Sequence, residues 1–586
     1  MTTEQNQLYR RAFIDPIRTV MLIDDRFPTL EEAVAGKGGG EAQGRADTEW
    51  QRAQRLWRGC RDRHWICDLD NHAGRSEGDT RRIAGSDLIV LDYQLNGGSD
   101  EDLASRKLIS ELADHPHTNL VVVYTSEEVD RVQKEIMAFL ARPRMPEISD
   151  EMRSLGFEEY LDDVMEQRAV VELDAAVVRN FLAQRPKWGS NLKKDLGAFF
   201  RDMSQAVSEA KKGRWSDRLI EHAVVRFIRE RYAVPNDGVP RLVEAGTTGN
   251  WISCGNVFVT VLQKPLAAPH DEAGALIEHL ERALSHWEPS PLFASVAYAR
   301  AEVTRTGLAS AALALPSREL VAGWWYTLIS GAGTEGRHLA AENIARDLMD
   351  GVATSVATKL SDYVLACSAT AAGGERDRLV SAMKLAKIDD RRKIVKQSVA
   401  FELNHFLSCA PEYRGQLACG TVFFESDSKQ YYVCVTPACD MVNRCPDDNY
   451  HWMKSLHPWR PMVVMRLKVE KRDAKKVDAF KLAHRAEWLF IRDGEKKLVL
   501  ATKPQPDSAQ VSLETMLVKV DGPPGKEIPC QRLTLGGDDG DRVPTTRPST
   551  LRPIAQLRAP YAEQVLALAG RHLSRIGTDY VGIEIK

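Results

Sequence analysis

Short apolar runs that end in polar residues recur three times near the start of the chain. Residues 19–26 read TVMLIDDR, residues 87–95 read DLIVLDYQL, and residues 119–126 read NLVVVYTS. Runs of this length between polar segments are typical of strands buried on both faces of a parallel sheet. Because ligands bind outside the carboxyl ends of such strands, we expect the polar residues that close the three runs to meet at one site.

The ends of these runs supply a candidate metal site. Asp24 and Asp25 close the first run, Asp92 closes the second, and Thr125 adds a hydroxyl at the end of the third. One acid at an exposed strand end would be unremarkable, but an acid pair, an acid and a hydroxyl in this order are much rarer by chance. Since carboxylate oxygens suit Mg²⁺, the sequence predicts a magnesium site formed by Asp24, Asp25 and Asp92.

This order of residues resembles the receiver domain of response regulators. The resemblance implies a flavodoxin-like, doubly wound sheet in which Asp24 and Asp25 hold Mg²⁺ and Asp92 accepts a phosphoryl group. It also implies that the hydroxyl of Thr125 contacts the phosphoryl oxygens. In the family, a Lys-Pro pair after the fifth strand completes the site.

The Lys-Pro pair is displaced far along this chain. After Thr125 the sequence SEEVDRVQKEIMAFLARP predicts a helix, and amphipathic stretches continue to about residue 231. Residues 256–265 then read NVFVTVLQKP, a β-branched run that ends in Lys264 and Pro265. We therefore predict a helical insertion over residues 128–250 that splits the receiver domain, with Lys264 contacting the phosphoryl group. In the alternative, the receiver has lost its lysine and Lys264 belongs to another domain.

The split would divide the receiver domain into residues 1–127 and 251–290. The interrupted receiver is similar to a variant receiver family found in bacterial phage-defence operons with a histidine kinase, such as the Detocs type. That similarity implies a cytoplasmic response regulator of a two-component phosphorelay in antiviral defence, phosphorylated on Asp92 by a partner histidine kinase. A second receiver or an effector protein is a further possible partner.

Two more domains are predicted downstream, which makes the fold class α/β plus α plus β. Residues 291–409 are rich in Ala, Leu and Glu, with apolar residues at helical spacing, and predict a helical domain. Residues 410–586 contain alternating apolar runs separated by polar turns, such as GTVFFESDSKQYYVCVTP. This pattern predicts a mainly β, barrel-like domain, and the last apolar stretch predicts a terminal helix with Gly570 near its end.

One cysteine cluster lies in the predicted β domain. It comprises Cys434, Cys439 and Cys445, with His451 and His457 beyond it. These residue types suit zinc, but their spacing is wider than the two to four residues typical of structural sites. The preferred interpretation is a strand-end turn with Cys439 buried, while a metal site and a catalytic thiol beside a histidine stay open.

Composition narrows the possible functions. The 586 residues include 79 basic and 82 acidic side chains, for a net charge of -3, so the basic field of a dedicated nucleic-acid binder is missing. No apolar stretch reaches the ~20 residues of a membrane span, and ten scattered cysteines favour a reducing, cytoplasmic setting. Since no separate enzyme motif is found, three hypotheses remain: a response regulator, a receiver-gated effector enzyme with its active site in the β domain, or a phosphorylation-independent scaffold.

Overall fold

The structure is a computed structural model of the chain that forms two compact units. One unit comprises Met1–Arg305 and Val356–Ala372, and the other comprises Thr306–Ser355 and Gly373–Lys586. The described residues are 3–27, 46–71, 77–95, 101–147, 217–235, 239–265, 271–306, 318–330, 333–371, 378–386, 391–410, 417–441, 455–470, 487–503, 511–519, 527–536 and 543–573, with residues 162, 178, 181, 182, 388, 480 and 483. None of the described helices has the length and apolar character needed to cross a membrane.

A seven-stranded sheet forms the centre of the first unit. Its strands are β1 (Thr19–Ile23), β2 (Ile66–Asp70), β3 (Leu88–Asp92), β4 (Asn119–Thr125), β5 (Glu244–Gly246), β6 (Trp251–Cys254) and β7 (Val257–Gln263). They lie in the order β2-β1-β3-β4-β7-β6-β5, parallel from β2 to β7 and antiparallel beyond. The expected doubly wound α/β sheet is therefore present, and β7 lies beside β4.

Helices cover both faces of this sheet. They are α1 (Thr3–Tyr9), α2 (Ala46–Asp62), α3 (Glu77–Ala84), α4 (Glu101–Asp114), α5 (Val129–Ala141), α6 (Asp217–Arg231), α7 (Glu272–Trp287) and α8 (Pro291–Thr306). Leu91 and Val123 face one core, which includes side chains of α4, α5 and α6. Val90 and Val122 face the other core, with α1, α2, α7 and α8. Successive strand residues alternate between the faces, which is why the central strands β1, β3 and β4 are apolar along most of their length.

The helical middle region is divided between the two units. Its further helices are α9 (Arg318–Ser330), α10 (Gly333–Ala371), α11 (Arg378–Leu385) and α12 (Lys393–Ser408). Helix α8 packs into the core of the first unit through Ala294 and Tyr298. The end of α10 does the same through Tyr363, whose hydroxyl donates a hydrogen bond to the carbonyl of Leu8 at 3.0 Å. Helices α9, α11 and α12 belong to the second unit.

A closed antiparallel barrel dominates the described part of the second unit. The strands of this unit are β8 (Thr421–Glu425), β9 (Gln430–Cys434), β10 (Trp459–Val469), β11 (Trp488–Asp493), β12 (Lys496–Ala501), β13 (Leu513–Lys519), β14 (Ile528–Gly536) and β15 (Val543–Gln556). Strand β10 pairs with both β13 and β9, which closes the ring β10-β13-β14-β15-β8-β9. The expected barrel is confirmed, and the hairpin β11–β12 extends from the end of β10.

Apolar side chains form a buried cluster inside this barrel. One buried cluster takes a side chain from each of the six strands, namely Phe423, Tyr432, Val464, Met516, Ile528 and Leu551. Since side chains alternate between the two faces of a strand, a cluster shared by all six strands lies inside the barrel. An interior packed in this way counts against a substrate pocket within the barrel.

Two predictions for the second unit concern its terminal helix and its cysteine cluster. A short helix α13 (Ala438–Met441) follows β9, and the expected terminal helix α14 (Ala559–Leu573) is present, with Gly570 near its end. The thiol of Cys434 is buried and accepts a hydrogen bond from the backbone N–H of Thr436 at 3.4 Å. Burial raises the pKa of Cys434 to about 12, which disfavours a free thiolate that could act as a nucleophile. Cys445, His451 and the side chain of Cys439 lie outside the described residues, whereas His457 is exposed.

An ion network lies among the inward-facing residues at one end of the barrel. Glu425 is fully buried and accepts a hydrogen bond from the hydroxyl of Ser549 at 2.7 Å. Arg532 forms ion pairs with Glu425 at 3.2 Å and with Glu514 at 3.1 Å. The arginine therefore neutralises two carboxylates that would otherwise repel each other inside a closed strand arrangement.

We expect Arg532→Met to lower the free energy of unfolding of the barrel unit by about 2 kcal/mol, measured by urea denaturation of the full chain. The change leaves Glu425 buried without a cation, although 27% exposure of the Arg532 side chain makes the loss smaller than for a fully buried pair. Thr534→Ala, two residues further along β14, is the control because it removes only an exposed hydroxyl contact with Thr545. Equal stability of the two variants would contradict this role of Arg532.

Candidate functional site

The carboxyl ends of four neighbouring strands bring the predicted site residues together. Asp92 and Thr125 are the last residues of β3 and β4. Asp24 follows β1, and Lys264 follows β7. Because these strands are parallel and adjacent, their ends lie along one edge of the sheet.

Three carboxylates converge at this edge. One oxygen each of Asp24, Asp25 and Asp92 lies within 4.8 Å of the others. Asp24 and Asp92 are buried, whereas Asp25 is half-buried and gives the group access to solvent. Hard oxygen ligands with one open side fit Mg²⁺, which retains several waters in protein sites. Among the described residues, no other group of three or more acidic, histidine or cysteine side chains lies this close together.

Lys264 provides the positive charge of the site. Its Nζ atom lies 2.7 Å from Oδ2 of Asp92 and 3.4 Å from Oδ2 of Asp24. Its backbone N–H donates to the carbonyl of Thr125 at 2.6 Å, which extends the pairing of β7 with β4. The expected proximity of Lys264 to Asp92 is confirmed, although 171 intervening residues separate them in the chain. What Lys264 does in the reaction stays a prediction.

Burial determines the protonation of Asp92. Removal from water raises the pKa of Asp92 to about 7, and the negative charge of Asp24 acts in the same direction. The ammonium of Lys264 and the backbone N–H of Gln94 favour the carboxylate but do not offset the burial. Near neutral pH, Asp92 is therefore present in comparable amounts as the carboxylic acid and as the carboxylate. A nearby cation would favour the carboxylate.

Two hydroxyls stabilise the strand ends. Thr125 is fully buried, and its Oγ1 accepts a hydrogen bond from the backbone N–H of Glu127 at 3.0 Å. Ser105 of α4 donates to the carbonyls of Tyr93 at 2.5 Å and Asp92 at 3.1 Å. The sequence pattern did not identify Ser105, because a single serine on the buried side of an amphipathic helix has no distinctive signature.

Comparison with protein families agrees with this geometry. Residues 16–167 match the family model of the response receiver domain. The chain contains a receiver domain. The matched range includes Asp24, Asp25, Asp92 and Thr125, covers about a quarter of the chain, and ends before Lys264. Comparison with curated proteins finds no match, and comparison with solved structures finds none either.

We expect Asp92→Asn to raise the melting temperature of the receiver domain at pH 8 in metal-free buffer, with a gain that shrinks as the pH falls toward 4. The pKa of Asp92 is about 7 in the folded protein and about 4 in an unfolded chain. Between these values the folded protein holds a proton that the unfolded chain releases, so wild-type stability falls as the pH rises. Asparagine has no such titration. Thermal melting in the presence of a chelator measures the effect, and a difference that does not vary with pH would contradict it.

Proposed function

We propose that this protein is a response regulator that accepts a phosphoryl group on Asp92 from a partner histidine kinase, in a reaction that depends on Mg²⁺. The observation that carries the proposal is the buried Asp92 carboxylate beside Asp24, Asp25 and Lys264, within a receiver domain. Two-component signalling through a phosphorelay is the activity that such a domain suggests.

The residues of the site fit phosphoryl transfer. An oxygen of Asp92 would bond to phosphorus while the bond from phosphorus to the donor's imidazole nitrogen breaks. Lys264, now 2.7 Å from that carboxylate, would pair with the phosphoryl oxygens, and the Thr125 hydroxyl would donate to them. Asp24, Asp25 and Asp92 would hold Mg²⁺, which when bound neutralises negative charge that develops on the transferred group.

The packing of α6 against α5 supports a route by which phosphorylation of Asp92 would affect the predicted insertion. Helix α5 begins four residues after Thr125, and its Ile136 and Leu140 share a buried cluster with Val225 and Ile228 of α6. Arg229 of α6 also donates to the carbonyl of Pro143 at 2.8 Å, just beyond the end of α5. A shift at the end of β4 would therefore reach α6 through direct packing, and we propose that phosphorylation biases the position of this insertion.

The biological setting is proposed from sequence resemblance alone. The likeness to interrupted receivers of the Detocs type suggests a cytoplasmic role in bacterial antiviral defence, with a histidine kinase and a second receiver or an effector protein as partners. The rival hypothesis of an effector enzyme receives no support from the buried apolar cluster inside the barrel. The scaffold hypothesis differs from ours in predicting that no phosphate is accepted.

We expect the full chain to gain hydroxylamine-labile phosphate when it is incubated with acetyl phosphate and Mg²⁺, and Asp92→Asn to abolish the gain. The reason is that Asp92 supplies the attacking oxygen. Asp68→Asn, which changes an exposed carboxylate on β2 of the same sheet, should leave the gain unchanged. Incorporation of labelled phosphate measures both variants. If the wild-type chain takes up no phosphate, the proposed function is wrong and the scaffold hypothesis gains support.

We expect Lys264→Gln to slow phosphate incorporation at least tenfold without weakening Mg²⁺ binding. The variant loses the cation that would pair with phosphoryl oxygens, but it also removes a positive charge that repels Mg²⁺ from Asp24 and Asp92. Incorporation rates and titration calorimetry separate the two effects. Lys107→Gln, on the exposed face of α4, is the matched control. A parallel loss of rate and of Mg²⁺ affinity would contradict the assigned role.

A further inference from the structure

A second charged cluster lies next to the acceptor carboxylate. Tyr124 pairs with Asp92 in the register of β4 and β3, so their side chains project from the same face of the sheet. This is the face on which Val90 and Val122 pack against α2 and α7. The residue directly after Tyr124 is Thr125, at the end of the strand.

Tyr124 shares one carboxylate oxygen with an arginine. Its hydroxyl donates to Oε1 of Glu272 at 3.0 Å, and Nε of Arg52 donates to the same oxygen at 2.7 Å. The guanidinium carbon of Arg52 lies 4.4 Å from the centroid of the Tyr124 ring, which adds a cation–π contact. Only 1% of the Glu272 side chain and 12% of the Arg52 side chain are exposed. Interactions between charges removed from water in this way are strong and resist rearrangement.

The cluster joins β4 to two helices, α2 and α7. Tyr124 belongs to β4, which ends at Thr125, and Arg52 belongs to α2, the described helix that follows β1 and its acid pair. Glu272 is the first residue of α7, the described helix after Lys264. A change in the cluster would therefore act on the site most directly through β4, which ends at Thr125.

The contact between α2 and α7 is close as well as charged. Arg63, just past the end of α2, pairs with Asp271, the N-cap residue of α7, at 2.9 Å. A Cβ atom added to Gly59 would lie only 2.4 Å from the Cβ of Ala273, so the two helices touch at this glycine. These contacts between α2 and α7 hold Glu272 in place. The hydrogen bond from Tyr124 to Glu272 then holds the tyrosine side chain.

The backbone of β4 transmits this constraint to the site. Thr125 is one peptide bond from Tyr124, and its carbonyl accepts the backbone N–H of Lys264 at 2.6 Å. Rotation of Tyr124 out of the cluster would shift this carbonyl and with it the backbone that carries Lys264. Small displacements of a reacting group cost large factors in rate, because transfer needs in-line geometry.

We propose that Glu272 is a positioning residue for phosphoryl acceptance: through Tyr124 and Arg52 it fixes the end of β4, and thereby Thr125 and Lys264, around Asp92. The role rests on the proposed function of the site. Without this role, the presence of Glu272 would be explained only by the favourable interaction of an acid with the first turn of a helix.

The test uses the full chain with Tyr124→Phe, Glu272→Gln and the double variant. Phosphate incorporation from acetyl phosphate is measured over a range of donor concentrations, with Mg²⁺ affinity by calorimetry and the melting temperature of each protein. We expect Tyr124→Phe to lower the maximal rate about tenfold while Mg²⁺ affinity stays within twofold of wild type and the melting temperature changes little. The double variant should be no slower than Glu272→Gln, because both changes break the same link.

Tyr432→Phe is the matched control, since it removes a buried tyrosine hydroxyl that donates to Glu514 at 3.4 Å in the barrel. It should leave the rate unchanged. A wild-type rate for Tyr124→Phe would overturn the positioning role while the proposed function stands. Rate losses that multiply in the double variant, or that track losses in Mg²⁺ affinity and melting temperature, would overturn it too. A wild-type chain that takes up no phosphate would overturn the proposed function, and the positioning role with it.

Discussion

The site at the carboxyl edge of the sheet depends on one buried ion pair, between Lys264 and Asp92. The two residues come from strands that are neighbours of β4 on opposite sides, and their charged atoms meet 2.7 Å apart. Burial raises the pKa of Asp92 to about 7 even with the ammonium of Lys264 beside it, and this ammonium favours the carboxylate form that can act as a nucleophile. Strand β7 supplies that cation although it belongs to a distant part of the sequence. The sheet therefore brings together two charged residues that are far apart in the chain.

The strands and the acidic site were predictable because local patterns specify them. Residues buried on both faces of a parallel sheet form continuous apolar runs, and Asp24, Asp92 and Thr125 stand where such runs end. Lys264 was found in the same way, from a β-branched run that ends in Lys-Pro. The antiparallel edge strands β5 and β6 were not predicted. They are three and four residues long, too short for a periodic signal, and β5 falls inside the range assigned to the insertion.

Contacts between distant residues were beyond the reach of sequence patterns. From the sequence, Glu272 is only one of many acidic residues, whereas the structure buries it against Tyr124 and Arg52. The sequence around Ser105 shows no pattern that would indicate its contacts with the end of β3. The division of the helical middle region was missed for a similar reason, since helical spacing predicts an apolar face but not which unit covers it. Such features depend on tertiary packing, in which several elements must already be in place.

Phosphorylation of Asp92 is the step on which the proposed function depends. Borohydride reduction followed by peptide mass spectrometry tests it most directly, because reduction of an aspartyl phosphate leaves homoserine at the modified position. After incubation of the wild-type chain with acetyl phosphate and Mg²⁺, we expect homoserine at position 92 and at no other aspartate. Homoserine at a different aspartate, or aspartate retained at position 92 in protein that carries phosphate, would contradict it.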